Sequence, residues 1–424
     1  MTIATNPNLI QLVEYARHHS PYYRALYRDL PEQRWTLADL PLVDPATFWA
    51  QSHDLARWPV LTTVPSEGHV FKTGGSTSDG RLSVFSRSEW QAFVAAFGTG
   101  LSRHLRPGDR VANLFVSGDL YTSLLFIHGA LTHGPVPVLE YPFTGYADSD
   151  ALALAIEQHR INVLAGAPAF LLLFAEHLVA RQQTLPGVET VLYGGESLFD
   201  QQITLIKQAF PRVRLESVGC ASVDAGLIGY SDPSCGHGEH RMFEGESIVE
   251  IVDEDSGRPL DEPGQRGRLL ITNLQRRLMP VIRYPSGDLA CWREPPGANR
   301  KFSLLGRAGS SHRIRIGTLA LFPDALGQVV SESCALLGWQ IEISRQEGVD
   351  YLVLLLAARE PLDLTSMRQV LLASQPALAE RCAAQALTVE LRQTELARMR
   401  THPRSGKLLR VVDRRDYQPT EALA

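Results

Sequence analysis

Between Val111 and Phe210, short apolar runs and helical stretches take turns along the chain, and no other feature restricts the fold as much. Val111-Ala112-Asn113-Leu114-Phe115, Leu124 to Leu131 and Val136-Pro137-Val138-Leu139 come first. A helix over Ala151 to Gln158, a strand at Asn162-Val163-Leu164-Ala165 and a helix over Phe170 to Val179 follow. A strand at Val191-Leu192-Tyr193 and a helix over Gln201 to Phe210 complete the series. This spacing predicts a mostly parallel sheet with helices on its faces. Upstream, Leu9, Leu12, Val13 and Ala16 mark one helical stripe that Ser20-Pro21 stops and Tyr22, Tyr23, Leu26 and Tyr27 resume.

After Gly219 the period changes to two. Ser247 to Val252 alternates, Asp255-Ser256-Gly257 turns, and Arg268 to Thr272 returns, which predicts a smaller antiparallel layer. Further on, strands at Gln340 to Ser344, Tyr351 to Ala357 and Ala386 to Leu391 enclose helices at Thr365 to Ala373 and Pro376 to Gln385. The expected fold class is α/β: a large layered N-terminal domain over residues 1–307 and a small α+β domain over 308–424. Both periodicities break at Arg307-Ala308-Gly309-Ser310-Ser311, which sets the division.

Composition narrows the class. The 424 residues are 44% hydrophobic, enough for about two or three cored domains and unlike a disordered chain. A net charge of −5 exerts no pull toward nucleic acid or an anionic membrane. Five cysteines are too few for a disulfide framework and fit a reducing compartment. The first twenty residues lack the basic start and apolar run of a secretory signal, and no apolar run reaches the ~18 residues of a membrane span. A soluble, cytoplasmic enzyme is expected.

Six strings carry chemistry. Phe71-Lys72-Thr73-Gly74-Gly75-Ser76-Thr77-Ser78-Asp79-Gly80-Arg81 has consecutive glycines that let backbone N–H groups approach a phosphate, and it lacks the Gly-Lys-Ser/Thr ending of a P-loop. Tyr193-Gly194-Gly195-Glu196-Ser197-Leu198 follows a predicted strand. Ser222 to Gly229, Met279 to Ala290, Leu305-Gly306-Arg307 and Pro403 to Asp413 complete the set. Taken singly, each also reads as an ordinary turn or a solvated edge. Their order and spacing make that reading of all six together improbable.

In this order they resemble the adenylate-forming superfamily of acyl-CoA synthetases, adenylation domains and luciferases, and within it the phenylacetate–CoA ligase branch. The resemblance runs from about residue 8 to 416. It is most specific over Arg283 to Asp288 and Ser405 to Asp413, and Leu9 to Tyr27 is similar to the branch's opening helices. It implies a C-terminal domain that moves as a lid, ATP with Mg²⁺, and CoA as co-substrate. It implies that Thr73, Gly74, Gly75, Ser76 and Thr77 cradle the β- and γ-phosphates. Tyr193, Gly194, Gly195 and Glu196 would line the adenine and the acyl carboxylate, with Tyr121 in the acyl pocket and Ser222 in the nucleotide site. Asp288 would accept from the ribose hydroxyls and Arg307 would contact ribose or phosphate. Asp224 would bind Mg²⁺, and Lys407 would reach the α-phosphate and the attacking carboxylate.

The sequence departs from the family pattern at defined places. Gly80 is followed by Arg81 where a Lys is usual. The Tyr-Gly-Ser-Thr-Glu type string is Cys220-Ala221-Ser222-Val223-Asp224, which shortens the Mg²⁺ ligand and removes one hydroxyl. The hinge after Arg307 has no Asp or Lys. The implied activity is ATP-dependent conversion of a carboxylic acid, an aromatic one by the branch, to acyl-AMP with release of pyrophosphate, then thioester formation with CoA. Two alternatives stay open: transfer to a carrier protein, an amine or a partner reductase, and a catalytically weak nucleotide or aryl-acid binding protein. Expected partners are the small acid, ATP and CoA, with neither nucleic acid nor membrane; a homodimer is left open. Cys235, His237 and His240 lie within six residues, with Cys220 as a fourth candidate ligand. Their spacing matches no strong zinc pattern, so a polar loop is favoured over a zinc site.

Overall fold

The computed structural model describes residues 6–32, 34–73, 80–308, 314–316, 319–346 and 349–415. They divide into two compact units, one within 1–170, 184–197 and 210–308 and the other within 171–183, 198–209 and 309–424.

The first unit opens with helices α1 (Pro7–His19), α2 (Pro21–Leu26) and α3 (Pro45–Trp49). Each has Pro in its first turn behind Asn6, Ser20 or Asp44, whose side chain accepts the free backbone N–H groups. The Ser20-Pro21 break therefore ends one helix and starts the next. Tyr23, Tyr27, Phe48, Trp49 and Trp58 from this segment join Ile251, Leu269, Ile271 and Tyr284 in one core. Strands β1 (His69–Lys72) and β2 (Leu82–Phe85) pair antiparallel, and α4 (Arg87–Leu101) follows on a capping box of Ser86 and Glu89.

Strand and helix then alternate as expected: β3 (Arg110–Leu114), α5 (Ser123–His133), β4 (Leu139–Pro142), α6 (Ser149–His159), β5 (Val163–Gly166), α7 (Pro168–Ala180), β6 (Thr190–Tyr193), α8 (Asp200–Ala209) and β7 (Arg214–Ser217). The strands lie in the order β4-β3-β5-β6-β7, all parallel. Val136-Pro137-Val138, expected within a strand, precede it. Pro137 has no N–H for a ladder, and its carbonyl is taken by the Gly108 N–H. The order reverses between β3 and β5, and open α/β sheets bind ligands beyond the carboxyl ends of their strands at such a point.

The antiparallel layer consists of β8 (Cys220–Ser222), β9 (Gly226–Tyr230), β10 (Glu239–Met242), β11 (Ser247–Val252), β12 (Arg266–Asn273), β13 (Val281–Trp292) and β14 (Lys301–Arg307). They run in the order β11-β12-β13-β14-β10-β9-β8. Expected to be the smaller layer, it has seven strands among the described residues against five in the parallel sheet. Period-two reading misses β9 because all its residues are buried, which erases the alternation.

In the second unit, β15 (Ile314–Ile316) and β16 (Leu319–Leu321) form a hairpin. The chain continues through α9 (Pro323–Ser333), β17 (Gly338–Gln346), β18 (Val349–Ala357), α10 (Leu364–Ser374), α11 (Pro376–Ala383), β19 (Leu387–Thr394) and β20 (Val411–Asp413). The sheet order is β19-β18-β17-β20, with only the central β17–β18 pair antiparallel among the described strands. Leu326, Val330, Met367, Leu371 and Leu378 share its core with Ile341, Leu352 and Leu354. Most of α7 and all of α8 group with this unit, whereas the sequence boundary at 307/308 assigns them to the first. Residues 309–311 of that boundary lie outside the described residues. No described helix is long and apolar enough to cross a membrane.

Candidate active site

The strand ends supply the first part of the site. Leaving β6, residue 194 passes between Val218 and Phe115; a Cβ there would meet Val218 Cγ2 at 2.4 Å, so only glycine fits. Gly195 follows at φ +89°, turning the chain outward and leaving itself exposed and Glu196 half-buried. Tyr193 is itself buried, and its hydroxyl is hydrogen-bonded with His237 Nδ1 at 3.2 Å. Burial, with the charge of Glu216 adding to it, pushes the phenol up to about 12, so it stays protonated. The open surface at this strand end therefore belongs to Gly195 and Glu196.

The hairpin of β1 and β2 supplies the second part. Thr73 and Arg81 close it: the Thr73 N–H donates to Arg81 O at 2.9 Å, and the Arg81 N–H donates to Thr73 Oγ1 at 3.0 Å. Gly74, Gly75, Ser76 and Thr77, expected to cradle phosphates, lie outside the described residues. Tyr121 ends a tight turn, Gly118 to Tyr121, in which Asp119 and Leu120 both have positive φ. Leu120 O accepts the Lys72 N–H at 2.9 Å, which brings this turn beside the residue before Thr73.

The third part is the turn from β8 to β9. Ser222 Oγ accepts the Ala225 N–H at 3.0 Å. Asp224 Oδ1 also accepts from Ala225 N at 3.0 Å, and Oδ2 accepts from Tyr284 Oη at 3.0 Å. Trp49 Nε1 in turn donates to Tyr284 Oη at 3.0 Å. Beneath the turn lies Arg276, 1% exposed, which sequence reasoning missed. Its Nη1 donates to Asp224 O at 2.7 Å, its Nη2 to Val84 O at 2.6 Å and Ser83 Oγ at 3.1 Å, and it covers the Phe85 ring at 3.9 Å. Burial pulls the guanidinium down to about 10, against the nearby charges of Glu89 and Asp224, so it stays cationic at neutral pH. Its acceptors come from residues far away in the chain, so no local pattern announces it.

The fourth part is a bulge in β13. Along this strand the pairing with β12 steps from Leu270↔Pro285 to Arg268↔Leu289, so Ser286, Gly287 and Asp288 fall out of the ladder. Gly287 takes φ +83°, and the Asp288 N–H donates to Ser286 Oγ at 3.2 Å. Asp288 then stands opposite Arg307 of β14, with Oδ1 3.3 Å from Nη1. The Ala308 N–H donates to Gly287 O at 2.8 Å, tying the start of the expected hinge to the bulge. Arg283, in the same motif, serves the fold: buried, it pairs with Glu250 at 3.0 Å and donates to Leu40 O at 2.6 Å.

In the second unit Lys407 sits half-buried on a turn between Thr401 and Leu408, which bridge each other. Its ammonium forms no ion pair with another described residue. Asp413, a conceivable partner, is taken by Arg415 at 2.6 Å.

The candidate zinc ligands go to different partners. Cys235 Sγ donates to Asp232 Oδ1 at 3.6 Å, His237 meets Tyr193, and buried His240 meets Ser217 Oγ through Nε2 at 3.4 Å. Burial holds His240 down to about 4, so it is neutral. Cys220 starts the edge strand β8. Among the described residues no group of three or more His, Cys, Asp and Glu is arranged to hold a metal ion. Asp224 is a separate case. Each of its oxygens accepts one hydrogen bond, which leaves lone pairs for a hard cation. Mg²⁺ commonly takes one or two carboxylates plus substrate phosphates and water, and Asp224 fits that role.

Residues 70–276 match the AMP-binding enzyme family. The phenylacetate-coenzyme A ligase of Thermus thermophilus is 25% identical over 290 residues, 66% of this chain; the match spans 63% of that protein. The indoleacetate–lysine synthetase of Pseudomonas savastanoi is 29% identical over 189 residues, 43% of each chain. A 2-hydroxyisobutyryl-CoA ligase, solved with 2-HIB-AMP in its postadenylation state, has the same fold. Its TM-score is 0.68 at 20% identity, over 96% of this chain and 88% of that one. Just under half of the chain thus matches the AMP-binding enzyme family, and over 66% of its length the chain is similar to a phenylacetate-coenzyme A ligase.

Proposed function

We propose that the protein activates a carboxylic acid, an aromatic one, with ATP, and then transfers the acyl group to CoA in a cytoplasmic setting. The bulged Asp288 held against Arg307 carries the reading. A carboxylate offers two adjacent acceptors to a pair of ribose hydroxyls, and Arg307 orients it. In the first step a carboxylate oxygen attacks the α-phosphorus, the bond to the bridging oxygen breaks, and pyrophosphate leaves with the electron pair. No proton moves, so the protein's task is positioning and charge stabilisation. The Lys407 ammonium, brought by a C-terminal domain acting as a lid, balances the negative charge on the carboxylate and the α-phosphate. Thr73 and the loop it opens hold the β- and γ-phosphates, and Gly195 and Glu196 border the adenine. Asp224 holds Mg²⁺, whose charge offsets that of the phosphates. In the second step the CoA thiol gives up its proton to solvent, its sulfur attacks the acyl carbonyl, the acyl C–O bond to the phosphate breaks, and AMP leaves with the electron pair.

A second reading changes only the acceptor. The likeness to an indoleacetate–lysine synthetase favours an amine, which gives an amide in place of the thioester. Pyrophosphate release with a panel of aryl acids, followed with CoA, with lysine and with neither, tests both. Thioester with CoA is the expected product, and amide with lysine would replace it. No pyrophosphate from any acid would leave a nucleotide-binding protein without the ligase chemistry.

A further inference from the structure

Among the described residues, four of the hydrogen bonds that shape the turn presenting Lys407 meet at His402. Its backbone N–H donates to Lys407 O at 2.7 Å, and its backbone carbonyl accepts the Gly406 N–H at 2.9 Å. Its ring Nδ1 accepts from the N–H groups of Arg404 and Ser405, both at 3.3 Å. Ser405 is 3% exposed, and its Oγ lies 3.5 Å from the Lys407 N–H. The bonds converge on a loop of six residues, and two of them depend on the side chain.

Those two bonds fix the tautomer. Both partners are donors, so Nδ1 must offer a lone pair and the ring proton must sit on Nε2. A second proton would turn Nδ1 into a donor facing two donors. It would also place a cation beside Lys407 and Arg404. We infer that His402 is the positioning residue for Lys407, and that it shapes the turn only while its imidazole is neutral. The inference rests on the proposed role of Lys407.

The surroundings support the neutral ring. Burial lowers its affinity for a proton, and Arg404 and then Lys407 lower it further below the ordinary value of 6.5. From the neighbouring β17, the group on this segment's flanks is an uncharged amide: Gln340 donates to Arg400 O and Leu409 O and accepts the Arg400 N–H. The unfolded chain therefore binds the extra proton more readily than the folded one. The ring's contribution to the turn is complete above 6.5 and is lost as pH falls through the lower folded value.

The test uses the full chain and three forms: wild type, His402→Ala and His402→Asn. Asparagine can set its amide oxygen near the place of Nδ1 and does not titrate. With ATP, Mg²⁺ and phenylacetate or another accepted aryl acid, His402→Ala should form acyl-adenylate about 10²-fold more slowly, the scale of loss when a reacting group is misplaced by about 1 Å. Its use of supplied acyl-adenylate and CoA should not slow. His402→Asn should recover most of the adenylation rate and should not share the loss of rate expected of wild type as pH falls through the lowered value of the folded ring. Amide hydrogen exchange at Arg404 and Ser405, corrected for intrinsic rates, should accelerate on acidification in wild type and not in His402→Asn. Adenylation by His402→Ala at the wild-type rate, or exchange equally indifferent to pH in wild type and His402→Asn, would overturn the inference. Absence of pyrophosphate release by wild type with every acid strikes the proposed function instead, and the exchange comparison still decides what His402 does.

Discussion

Around Asp224, a single buried guanidinium joins segments that lie far apart in the chain. Arg276 binds Val84 and Ser83 from β2 and Asp224 from the β8–β9 turn, all in charge-assisted bonds. Around Lys407, a segment from Thr401 to Leu408 closes on itself through neutral bonds to His402. The first arrangement is held by the whole unit and gives way only when that unit does. The second is local and can rearrange while its own sheet stays intact. A nucleotide site needs the first property, and a residue expected to visit the reacting atoms and withdraw needs the second.

Replacing Arg276 by Met tests the first arrangement and should give the largest effect. It strands the buried carbonyls of Val84 and Asp224 and removes the cation over Phe85, and losses of this kind run to about 3–5 kcal/mol. Denaturant unfolding should show a much lower midpoint. A midpoint near wild type would mean that the guanidinium is not what holds the turn.

Lys407→Ala should invert that pattern. An ammonium with no ion-pair partner among the described residues supports little structure, so the unfolding stability should change by at most ~1 kcal/mol. Single-turnover adenylate formation should fall by ~10²–10³, while thioester formation from supplied acyl-adenylate persists. A mutant within a few-fold of wild type in adenylation would reduce Lys407 to a surface lysine.

Asp288→Ala falls between the two. The bulge is set by Gly287 and Ser286, so the fold should survive. ATP binding should weaken by ~1.5–3 kcal/mol as the ribose hydroxyls lose a charged acceptor. Calorimetry showing unchanged ATP affinity would detach Asp288 from the nucleotide.

The two arrangements also differed in how far the sequence revealed them. The Ser-Gly-Lys turn is contiguous, so its composition announced a turn but not the burial of Ser405 within it, and the alternation from Val111 to Phe210 announced the parallel sheet. The irregularity at Asp288 was legible for the same reason, because Ser286-Gly287-Asp288 is one short string. Arg276 was not. The hydroxyl it reaches belongs to Ser83, 193 residues earlier, and only the tertiary topology brings the two together. Arg283 lies in the most specific motif, and its charge goes to Glu250 inside the fold. The strand-end pattern placed Tyr193 but not the partner of its hydroxyl, His237, which lies 44 residues away in the chain.

The smallest effect should come from Tyr284→Phe, which probes the link between the fixed arrangement and the metal it is proposed to hold. Tyr284 is 2% exposed, and burial, reinforced by the charge of Asp224, pushes its phenol up, so the hydroxyl stays a donor. It donates to Asp224 Oδ2 while accepting from Trp49 Nε1, forming a chain of three side chains with one direction of donation. Phenylalanine keeps the ring's packing against Phe48 and Trp49 and deletes only the oxygen. The indole N–H is then left without its acceptor and the carboxylate loses one of its two side-chain-directed anchors, a change worth about 1–1.5 kcal/mol in stability. Asp224 keeps its bond from the Ala225 N–H, so the carboxylate remains in the site with freer rotation. The Mg²⁺ concentration for half-maximal pyrophosphate release should therefore rise several-fold, with the rate at saturating Mg²⁺ little changed. Asp224→Asn, which removes the charge itself, should raise it further. If Tyr284→Phe leaves the Mg²⁺ requirement where it was while Asp224→Asn raises it, Asp224 is oriented by its own turn alone. If neither moves it, Asp224 is a structural carboxylate and the metal is held by the phosphates.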